Sequence, residues 1–424
     1  MGGKRRVVVT GMGVVSALGL DEESHWERLM SGRHGIRRVA ALPVEAYKTT
    51  VGAEVDTPAL EAALAALGYK PLDRAVDMAT VAAGRALRQA GLVDAAGAPP
   101  GPTPTAVIFG TGTGCSHSVA AAWTSYAARG LKSVRPTTVP RCMSNAISAQ
   151  LSMRFRLTGT NYVIVCACSS ATVAIGTAFR NIRDGYFERA LCGGADAVFD
   201  FGTFTSWNAL GVMSRNPDPD AACRPFDADR DGCVLGEGAG ALVLESLEAA
   251  RARGARIRAE VLGFGESADA LHITSPNPEG QAAAMRAALD DARLAPGDVG
   301  FINAHGTATR ANDECESRSL RAVFGAAADA IPLGANKPFF GHLLGASGAV
   351  ESIVTVLGLE RRRVPPTLNC PRPDPACPVR LVGPEPMPLA APVAMKTSFA
   401  FGGQNAVLVF RRGDEEDRQS PTPE

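Results

Sequence analysis

Short runs of apolar, often β-branched residues alternate along this chain with longer alanine-rich stretches. Runs of strand length occupy residues 6–10, 106–110, 162–167, 190–193, 240–245, 259–263, 300–304, 332–335 and 406–410. Apolar residues recur at helical spacing over residues 73–90, 170–184, 247–253, 280–292 and 345–361. Strands without polar alternation are typical of sheets that are covered on both faces. The alternation therefore predicts an α/β fold with buried strands.

The best boundary within the chain lies at residues 250–258, where a charged helix leads into the predicted strand at Ala259. Each side of it begins with a strand that runs into glycines, as Val-Thr-Gly-Met-Gly at residues 9–13 and Val-Leu-Gly-Phe-Gly at residues 261–265. We therefore predict two similar halves, residues 1–255 and 256–412, each opening with a strand and a glycine turn. Residues 413–424 are polar and charged, which predicts a disordered tail.

The overall composition argues against several classes of protein. Lys plus Arg and Asp plus Glu both number 43, so no net charge attracts nucleic acid or an anionic membrane. No apolar run approaches the ~20 residues that span a bilayer, and the N-terminus is typical of a buried strand rather than a signal peptide. We expect a cytoplasmic protein whose ten cysteines remain thiols. Since the chain has no Cys-x-x-Cys pair, we expect no metal site.

Two segments resemble ligand-binding loops but differ from them in essential positions. Residues 11–19 contain three glycines, but the last is misplaced for a dinucleotide loop and no acidic residue closes a following strand. Residues 227–232 resemble the start of a calcium-binding loop, but Gly238 occupies the position that requires a bidentate glutamate. We therefore expect neither nucleotide nor calcium binding.

Cys168 stands where a predicted strand changes into a predicted helix. The strand at residues 162–167 is apolar, and the helix at residues 170–184 has an apolar face. The partial positive charge at a helix N-terminus lowers the pKa of a thiol and favours the nucleophilic thiolate. A small buried cysteine without chemistry is the alternative, and this setting supports both interpretations about equally.

Two histidines occupy comparable positions at strand ends. His305 follows the strand at residues 300–304, and His342 lies in a segment that runs from the strand at residues 332–335 into a helix of small residues. Functional sites in open α/β sheets gather beyond the carboxyl ends of strands. Three strand ends with Cys168, His305 and His342 therefore predict one site.

Lys337 and Glu316 are charged residues in otherwise structured segments. Lys337 ends an apolar strand, and Glu316 lies on the helix expected after His305. Exposed surface charge is the ordinary interpretation of such residues. A buried lysine, however, requires a carboxylate partner.

The motifs taken together resemble one enzyme family. They are Ala-Cys168-Ser-Ser, Asn-Ala-His305-Gly-Thr-Ala-Thr, Lys337 with Gly-His342-Leu-Leu-Gly-Ala, and Ser-Phe-Ala-Phe401-Gly-Gly. This set resembles the elongating β-ketoacyl-acyl carrier protein synthases over residues 5–411. The resemblance implies a thiolase-like fold, with two similar halves in five α-β-α-β-α layers, and an obligate dimer.

The resemblance also implies roles for the site residues. Cys168 would accept an acyl chain from the phosphopantetheine thiol of an acyl carrier protein. His305 and His342 would promote decarboxylation of the malonyl carrier protein and stabilise the resulting enolate, since neutral imidazoles donate hydrogen bonds to developing negative charge. Lys337, paired with Glu316, would keep this pocket in order.

Further roles follow from the same resemblance. The backbone N–H groups of Cys168 and Phe401 would form the oxyanion hole, and Phe401 would gate the acyl pocket. Asp313 would support the site beside Glu316. The residues expected to contact substrate are Thr307, Thr309, Phe399 and Trp207.

The resemblance implies partners rather than a bound cofactor, because the carrier protein delivers both substrates on its phosphopantetheine arm. Lys70 and Arg74 resemble the docking patch for that acidic carrier protein. The second subunit would be either an identical chain or a chain-length-factor-like partner.

Three departures from the family pattern concern the substrate and leave the catalytic set intact. Alanine follows Ser170 where glycine is common, two phenylalanines precede Gly341, and Gln404 replaces a threonine. We therefore predict the ketosynthase subunit of a type II polyketide system that makes a reduced or polyunsaturated chain. Housekeeping fatty-acid elongation is the alternative.

Two other classes fit the residues less well. A chain-length factor without catalytic activity would lack the nucleophile that Cys168 provides. A thiolase would use a second cysteine as acid and base, whereas this chain offers two histidines and a lysine.

Overall fold

The computed structural model describes residues 4–94 and 97–413. Its large sheet contains ten strands, which in chain order are Val7–Val15 (β1), Ala106–Gly110 (β2), Asn161–Ile164 (β3), Arg189–Asp196 (β4), Gly238–Ser246 (β5), Ala259–Ala268 (β6), Phe301–Asn303 (β7), Leu333–Gly334 (β8), Val393–Phe399 (β9) and Gln404–Arg412 (β10). Two small two-stranded sheets pair Arg37–Arg38 with Val51–Gly52 and Arg363–Val364 with Met387–Pro388.

The helices alternate with these strands, as the sequence predicts for an α/β fold. In chain order they are Glu22–Met30 (α1), Thr57–Ala66 (α2), Arg74–Gln89 (α3), Ser116–Arg129 (α4), Thr138–Cys142 (α5), Ala146–Phe155 (α6), Ser170–Arg183 (α7), Phe201–Leu210 (α8), Leu247–Ala252 (α9), Pro278–Ala292 (α10), Arg310–Phe324 (α11), Lys337–Phe340 (α12) and Ser347–Arg361 (α13). None of the helices in the described part of the chain is long and apolar enough to cross a bilayer.

The sheet consists of two five-stranded units with the same topology. Its strand order is β8-β7-β9-β10-β6-β1-β5-β4-β2-β3. Outward from the central β6–β1 pair, each unit has its first, fifth, fourth, second and third strands in turn. In both units the two inner pairings are antiparallel and the two outer pairings are parallel. The predicted similarity of the two halves is therefore present strand by strand.

The helices cover both faces of each unit and give five layers. Helix α3 packs on β1, β5 and β4, and α10 packs on β6 and β10. Between the units lie α7 and α13, which contact each other and strands of both units. Their packing is close, because a Cβ atom added at Gly348 of α13 would lie 2.1 Å from Thr172 Oγ1 on α7. The two central helices thus fix the spacing of the two halves.

The predicted glycine turns at residues 9–13 and 261–265 are wrong, because β1 and β6 run straight through them. A Cβ atom at Gly11 or Gly13 would lie 2.1 Å from a backbone oxygen of α3. At Gly265 it would lie 2.1 Å from a backbone oxygen of α10. These glycines let a helix approach the first strand of each half more closely than side chains allow.

The predicted boundary falls in the connection between α9, which ends at Ala252, and β6, which begins at Ala259. The division into residues 1–255 and 256–412 stays a prediction. Apart from Gly413, the predicted tail at residues 413–424 lies outside the described residues.

Candidate active site

Cys168 lies in a tight turn between β3 and α7. The turn is a 3-10 helix, Ala167–Ser169. Ser170 braces it, since its Oγ accepts a hydrogen bond from the N–H of Cys166 at 2.8 Å and donates one to the carbonyl of Ala167 at 2.7 Å. Ala167 has a φ of 46°, a left-handed conformation that is strained for a residue with a Cβ atom. The turn thereby holds the sulfur at the amino end of α7.

The second half of the chain has the same turn at the equivalent position. A 3-10 helix, Leu344–Ala346, immediately precedes α13, and Leu344 also has a φ of 46°. His342 stands two residues before this turn, as Val165 does before the first. Because α7 and α13 pack side by side, the turns place Cys168 and His342 next to each other.

Asp196, at the end of β4, connects the two halves at these turns. Its buried carboxylate accepts hydrogen bonds from the N–H groups of Gly112 at 2.7 Å and Gly345 at 2.6 Å. The hydroxyl groups of Thr111 and Thr113 donate to it at 2.7 and 2.8 Å. Burial raises the pKa of this carboxyl group, and these donors oppose the shift. The turn after His342 is thus fixed to a strand end of the first half.

The thiol and the first imidazole are in direct contact. His342 Nε2 lies 3.1 Å from Cys168 Sγ, and His342 Nδ1 lies 3.0 Å from Ser347 Oγ. A hydroxyl group both donates and accepts hydrogen bonds, so Ser347 supports either tautomer of this imidazole. His342 is therefore able either to accept the thiol proton or to present an Nε2–H donor.

The second imidazole is restricted to one tautomer. The rings of His305 and His342 have centroids 5.4 Å apart and planes at 82°. Lys337 Nζ lies 3.4 Å from His305 Nδ1 and also donates to the His305 carbonyl. An ammonium group only donates, so Nδ1 is the acceptor and Nε2 carries the hydrogen. His305 therefore presents an N–H donor.

The predicted pairing of Lys337 with Glu316 is wrong. Lys337 Nζ lies 2.7 Å from Oε1 of Glu351 on α13, and Nζ of Lys396 on β9 lies 2.9 Å from the other carboxylate oxygen. Glu316 instead accepts two backbone N–H bonds, each of 2.9 Å, from the turn at His305. Helix α13 places Glu351 beside both ammonium groups. The Glu316 carboxylate is instead hydrogen-bonded to backbone N–H groups.

Asp313 supports the same turn, as predicted from the resemblance. It accepts hydrogen bonds from the N–H groups of Thr307 at 3.1 Å and Phe226 at 2.9 Å. Burial raises the pKa of its carboxyl group to about 7. The hydroxyl groups of Thr307 and Thr309 lie 2.8 Å apart.

A cavity of about 110 Å³ opens onto the thiol. Besides Cys168 and both histidines, it is lined by the other residues expected to contact or gate the substrate, namely Thr307, Thr309, Phe399, Phe401 and Trp207. The rings of Trp207 and Phe401 stack with centroids 5.8 Å apart and planes at 19°. Phe399 packs edge-on against His305, with ring centroids 6.1 Å apart. The cavity lining is therefore partly aromatic and partly polar.

Burial determines the protonation of the reacting groups. It raises the pKa of the Cys168 thiol to about 12, although Lys337 and the N–H groups of Phe401 and Cys168 act in the opposite direction. Burial therefore opposes the thiolate that the helix N-terminus is expected to favour. Burial also lowers the pKa of His305 and His342 well below the ordinary value, and Lys337 lowers both further. The site at rest holds a thiol and two neutral imidazoles.

The two predicted docking residues differ in availability. Lys70 is exposed. Arg74 has a side chain only 18% exposed, and its guanidinium binds the fully buried carboxylate of Glu237 at 2.5 and 2.7 Å. This ion pair holds the Arg74 guanidinium against the protein core. Contrary to the prediction from the sequence, Arg74 is therefore not free to bind the carrier protein.

Sequence reasoning missed Glu351, Lys396, Ser347 and Asp196. Glu351 and Lys396 each interrupt an apolar segment, and a lone charge in such a segment is a signal of a buried ion pair. Which charges pair across the fold is set by the packing of α13 on β9 and is not visible in the sequence. Ser347 and Asp196 have no comparable local signal.

Comparisons with known proteins agree along the whole chain. The family models for the β-ketoacyl synthase N-terminal and C-terminal domains match residues 4–250 and 258–371. The 3-oxoacyl-[acyl-carrier-protein] synthase 2 of Staphylococcus aureus (strain COL) is 37% identical over 97% of this chain and 99% of its own. That of Synechocystis sp. is also 37% identical, over 96% of this chain and 98% of its own.

Solved structures give the same result. The ishigamide ketosynthase/chain length factor has a TM-score of 0.89 and 36% identity, with 97% of this chain and 100% of that one covered. The type II polyketide synthase complex AntDE:AntF has a TM-score of 0.88 and 28% identity at the same coverage. With its thiolase-like fold, its nucleophile turn and its histidine pair, the chain belongs to the β-ketoacyl synthase family of acyltransferases.

Proposed function

We propose that this protein condenses an acyl chain held on Cys168 with a malonyl unit delivered by an acyl carrier protein, with loss of carbon dioxide. The observation that carries the proposal is the contact of Cys168 Sγ with His342 Nε2 at 3.1 Å, beside a second neutral imidazole. One nucleophilic thiol and two N–H donors match an acyl transfer followed by formation of an enolate.

The first half-reaction transfers the acyl chain to Cys168. The sulfur attacks the thioester carbonyl of the acyl carrier protein, and its proton passes to His342 Nε2. The N–H groups of Cys168 and Phe401, which act on the sulfur, stabilise the oxyanion of the tetrahedral intermediate. Collapse expels the phosphopantetheine thiolate, which takes up the proton, and leaves a Cys168 thioester.

The second half-reaction uses His305 and His342 as donors. Malonyl thioester loses carbon dioxide, and the electron pair of the broken bond forms an enolate. The Nε2–H groups of both imidazoles donate to the enolate oxygen. His342 carries its hydrogen on Nε2 in this step, and the Ser347 hydroxyl then donates to its Nδ1. The enolate carbon attacks the Cys168 thioester and expels the Cys168 thiolate, which takes up one proton from solvent and restores the thiol.

We propose that the acyl chain is reduced or polyunsaturated and that the pathway is a type II polyketide system. The stacked rings of Trp207 and Phe401 form a flat wall beside the thiol. A planar conjugated chain lies against such a wall and loses less rotamer freedom than a saturated chain does. The likeness to a ketosynthase/chain length factor and to a type II polyketide synthase complex supports the pathway, and the aromatic wall supports the kind of chain.

A competition experiment tests the substrate. Carrier proteins with 2,4-dienoyl and saturated chains of equal length are mixed with the enzyme, and the acylated Cys168 peptide is measured by mass spectrometry. We expect the dienoyl chain to load faster. Equal loading, or faster loading of the saturated chain, would favour fatty-acid elongation, which the 37% identity to the 3-oxoacyl synthase 2 proteins supports.

We propose that a second ketosynthase-type subunit covers the edge strand β3 and the apolar residues exposed on and after α4. Strand β3 ends the sheet, and Val165 just after it is 56% exposed. Helix α4 and the segment that follows expose further large apolar residues, namely Trp123, Tyr126, Leu131 and Val139. Such an area on a monomer is typical of a subunit interface. The partner is an identical chain or a chain-length-factor-like one, and native mass spectrometry of the chain alone distinguishes them.

A further inference from the structure

Lys396 is a buried charged residue for which the reaction described so far has no use. It lies on β9, and its side chain is fully buried. Its Nζ lies 2.9 Å from Oε2 of Glu351 and 3.1 Å from the hydroxyl of Ser398, and it also donates to the carbonyl of Thr397. Ser398 in turn lies 2.7 Å from the hydroxyl of Thr172 on α7. The ammonium group is thus fully enclosed by polar partners.

Four buried charged side chains lie beside the two histidines, and the charges of these four balance only when Lys396 is counted. Lys337 and Lys396 are the ammonium groups, and Glu351 and Glu316 are the carboxylates; each has a relative exposure of 1% or less. The neighbouring Asp313 lies 3.7 Å from a cation of its own, Arg230, and Asp196 is held by backbone N–H donors at the other turn. Glu351 is shared by both lysines, while Glu316 is held by hydrogen-bond donors alone. Without Lys396 the group would therefore have a net charge of −1 beside the place where thiolate and enolate charge develops.

We propose that Lys396 is a positioning residue for the condensation. Its ammonium group, held on Glu351 beside Lys337, cancels the charge of the second buried carboxylate and keeps the two imidazoles neutral. This inference rests on the proposed function, because neutral imidazoles matter only if they donate to negative charge in the reaction.

Burial lowers the pKa of Lys396, and the nearby carboxylates Glu351 and Glu316 act in the opposite direction and favour its ammonium form. Its charged and titratable neighbours are Glu351 on α13, Lys337 on α12, Glu316 on α11, and the imidazoles of His305 and His342. Burial lowers the pKa of both imidazoles most, Lys337 lowers it further, and Lys396 acts in the same direction. Removal of the positive charge therefore makes it easier to protonate both imidazoles. A protonated His342 cannot accept the thiol proton, and a protonated His305 cannot accept a hydrogen bond from Lys337.

The first test measures the imidazoles without substrate. In the full-length enzyme with ¹⁵N-labelled histidine, the pKa of His305 and His342 is determined by NMR titration. We expect Lys396→Met to raise at least one of the two values by about one unit. The control Ser398→Ala removes a hydrogen-bond partner but keeps the charge, and should leave both values unchanged. Unchanged values in Lys396→Met, or an equal rise in Ser398→Ala, would overturn the proposal.

A double variant tests the charge balance itself. Lys396→Met combined with Glu351→Gln removes one charge of each sign, so the imidazole pKa values should return toward those of the wild-type enzyme. If the double variant kept the raised imidazole pKa values of Lys396→Met, charge balance would not be the cause of the rise.

The wild-type enzyme provides a test that no folding defect affects. The proposal requires Lys396 to be an ammonium group at pH 7, which the ¹³Cε and ¹⁵Nζ shifts of labelled lysine report. A neutral amine at that pH would overturn it.

Kinetics then connects the charge to the reaction. In Lys396→Met, the acid limb of kcat for condensation should move up by about one pH unit, whereas kcat above that limb and KM for the carrier-bound substrate should stay unchanged. A wild-type enzyme that condenses no carrier-bound chain would overturn the proposed function. The NMR titrations would still decide whether Lys396 holds the imidazoles neutral.

Discussion

His342 Nε2 lies 3.1 Å from Cys168 Sγ, although 174 positions of sequence separate the two residues. Each stands at a 3-10 turn before a central helix, one in each half of the chain. The thiol has a raised pKa and the imidazole a lowered one, so both groups are neutral at rest. In this contact the thiol proton can pass directly to His342 Nε2 when the sulfur attacks a thioester.

The resting state of the thiol can be measured by alkylation. Because burial raises the pKa of Cys168 to about 12, the thiolate fraction is small at neutral pH and grows about tenfold per pH unit. We expect the rate of Cys168 alkylation by iodoacetamide to rise from pH 7 to pH 9 without a plateau, as measured by mass spectrometry of its peptide. A plateau below pH 8 would mean that the resting site holds a thiolate. Cys168→Ala should abolish acyl loading.

The two histidines should differ in the first half-reaction. His342 contacts the sulfur, whereas His305 is fixed as a donor by Lys337. We expect His305→Ala to load acyl groups normally and to lose about 100- to 1000-fold in condensation. His342→Ala should lose as much in condensation and also load more slowly. Pre-steady-state loading and product formation are measured separately for each variant, and equal loading by the two would contradict the proposed proton acceptor.

The shared carboxylate should matter more for stability than either lysine. Glu351→Gln leaves two buried ammonium groups without their ion-pair partner, whereas Lys337→Met leaves Glu351 still paired with Lys396. Breaking a buried ion pair costs about 3–5 kcal/mol in free energy of unfolding. We expect Glu351→Gln to lose that much and Lys337→Met clearly less in denaturant titrations. The reverse order would mean that Lys396 does not share the carboxylate.

Charge reversal at the two predicted docking residues should have different effects. Lys70→Glu should raise KM for the carrier-bound substrate, weaken its dependence on salt, and leave a small thioester substrate unaffected. Arg74→Glu places a second carboxylate against buried Glu237, so it should lower Tm and impair both substrates. A Lys70 variant that behaves like wild type toward the carrier protein would remove Lys70 from the docking surface.

Movement of the Phe401 gate at the cavity should be detectable by tryptophan fluorescence. Trp207 stacks on Phe401, and the other two tryptophans of the chain are Trp26, which is buried, and Trp123, which is exposed. If Phe401 moves when Cys168 is acylated, the emission of Trp207 should change on loading. Trp207→Phe should abolish this change, and Trp123→Phe should retain it. No change on acylation would place the gate elsewhere.

Much of the fold was accessible from the sequence, because buried strands and amphipathic helices have distinct periods. All nine predicted strand segments overlap observed strands, but β9 was not predicted. Its polar run Lys-Thr-Ser at residues 396–398 interrupts the apolar pattern. These polar residues are buried because they face the ion-pair cluster, and that surrounding is created only by the tertiary structure.

The main residues of the site could be predicted from the sequence, but the ion pairs between them could not. Turn motifs identified Cys168, His305 and His342, since strand ends and glycines mark such turns. The partner of Lys337 was wrong, because Glu316 and Glu351 are both nearby in sequence and only packing selects between them. The effect of burial on the Cys168 thiol could not be predicted either, because burial depends on the whole fold.

The close approach of Gly348 to Thr172 has a consequence for how accurately the enzyme must be assembled. Sulfur and imidazole nitrogen belong to separate halves, so the width of one helix–helix contact determines the gap between them. A single methyl group at position 348 would act as a wedge between α7 and α13. A shift of even about 1 Å would lengthen the 3.1 Å contact beyond hydrogen-bond distance, so a residue outside the cavity lining sets the distance over which the proton is transferred.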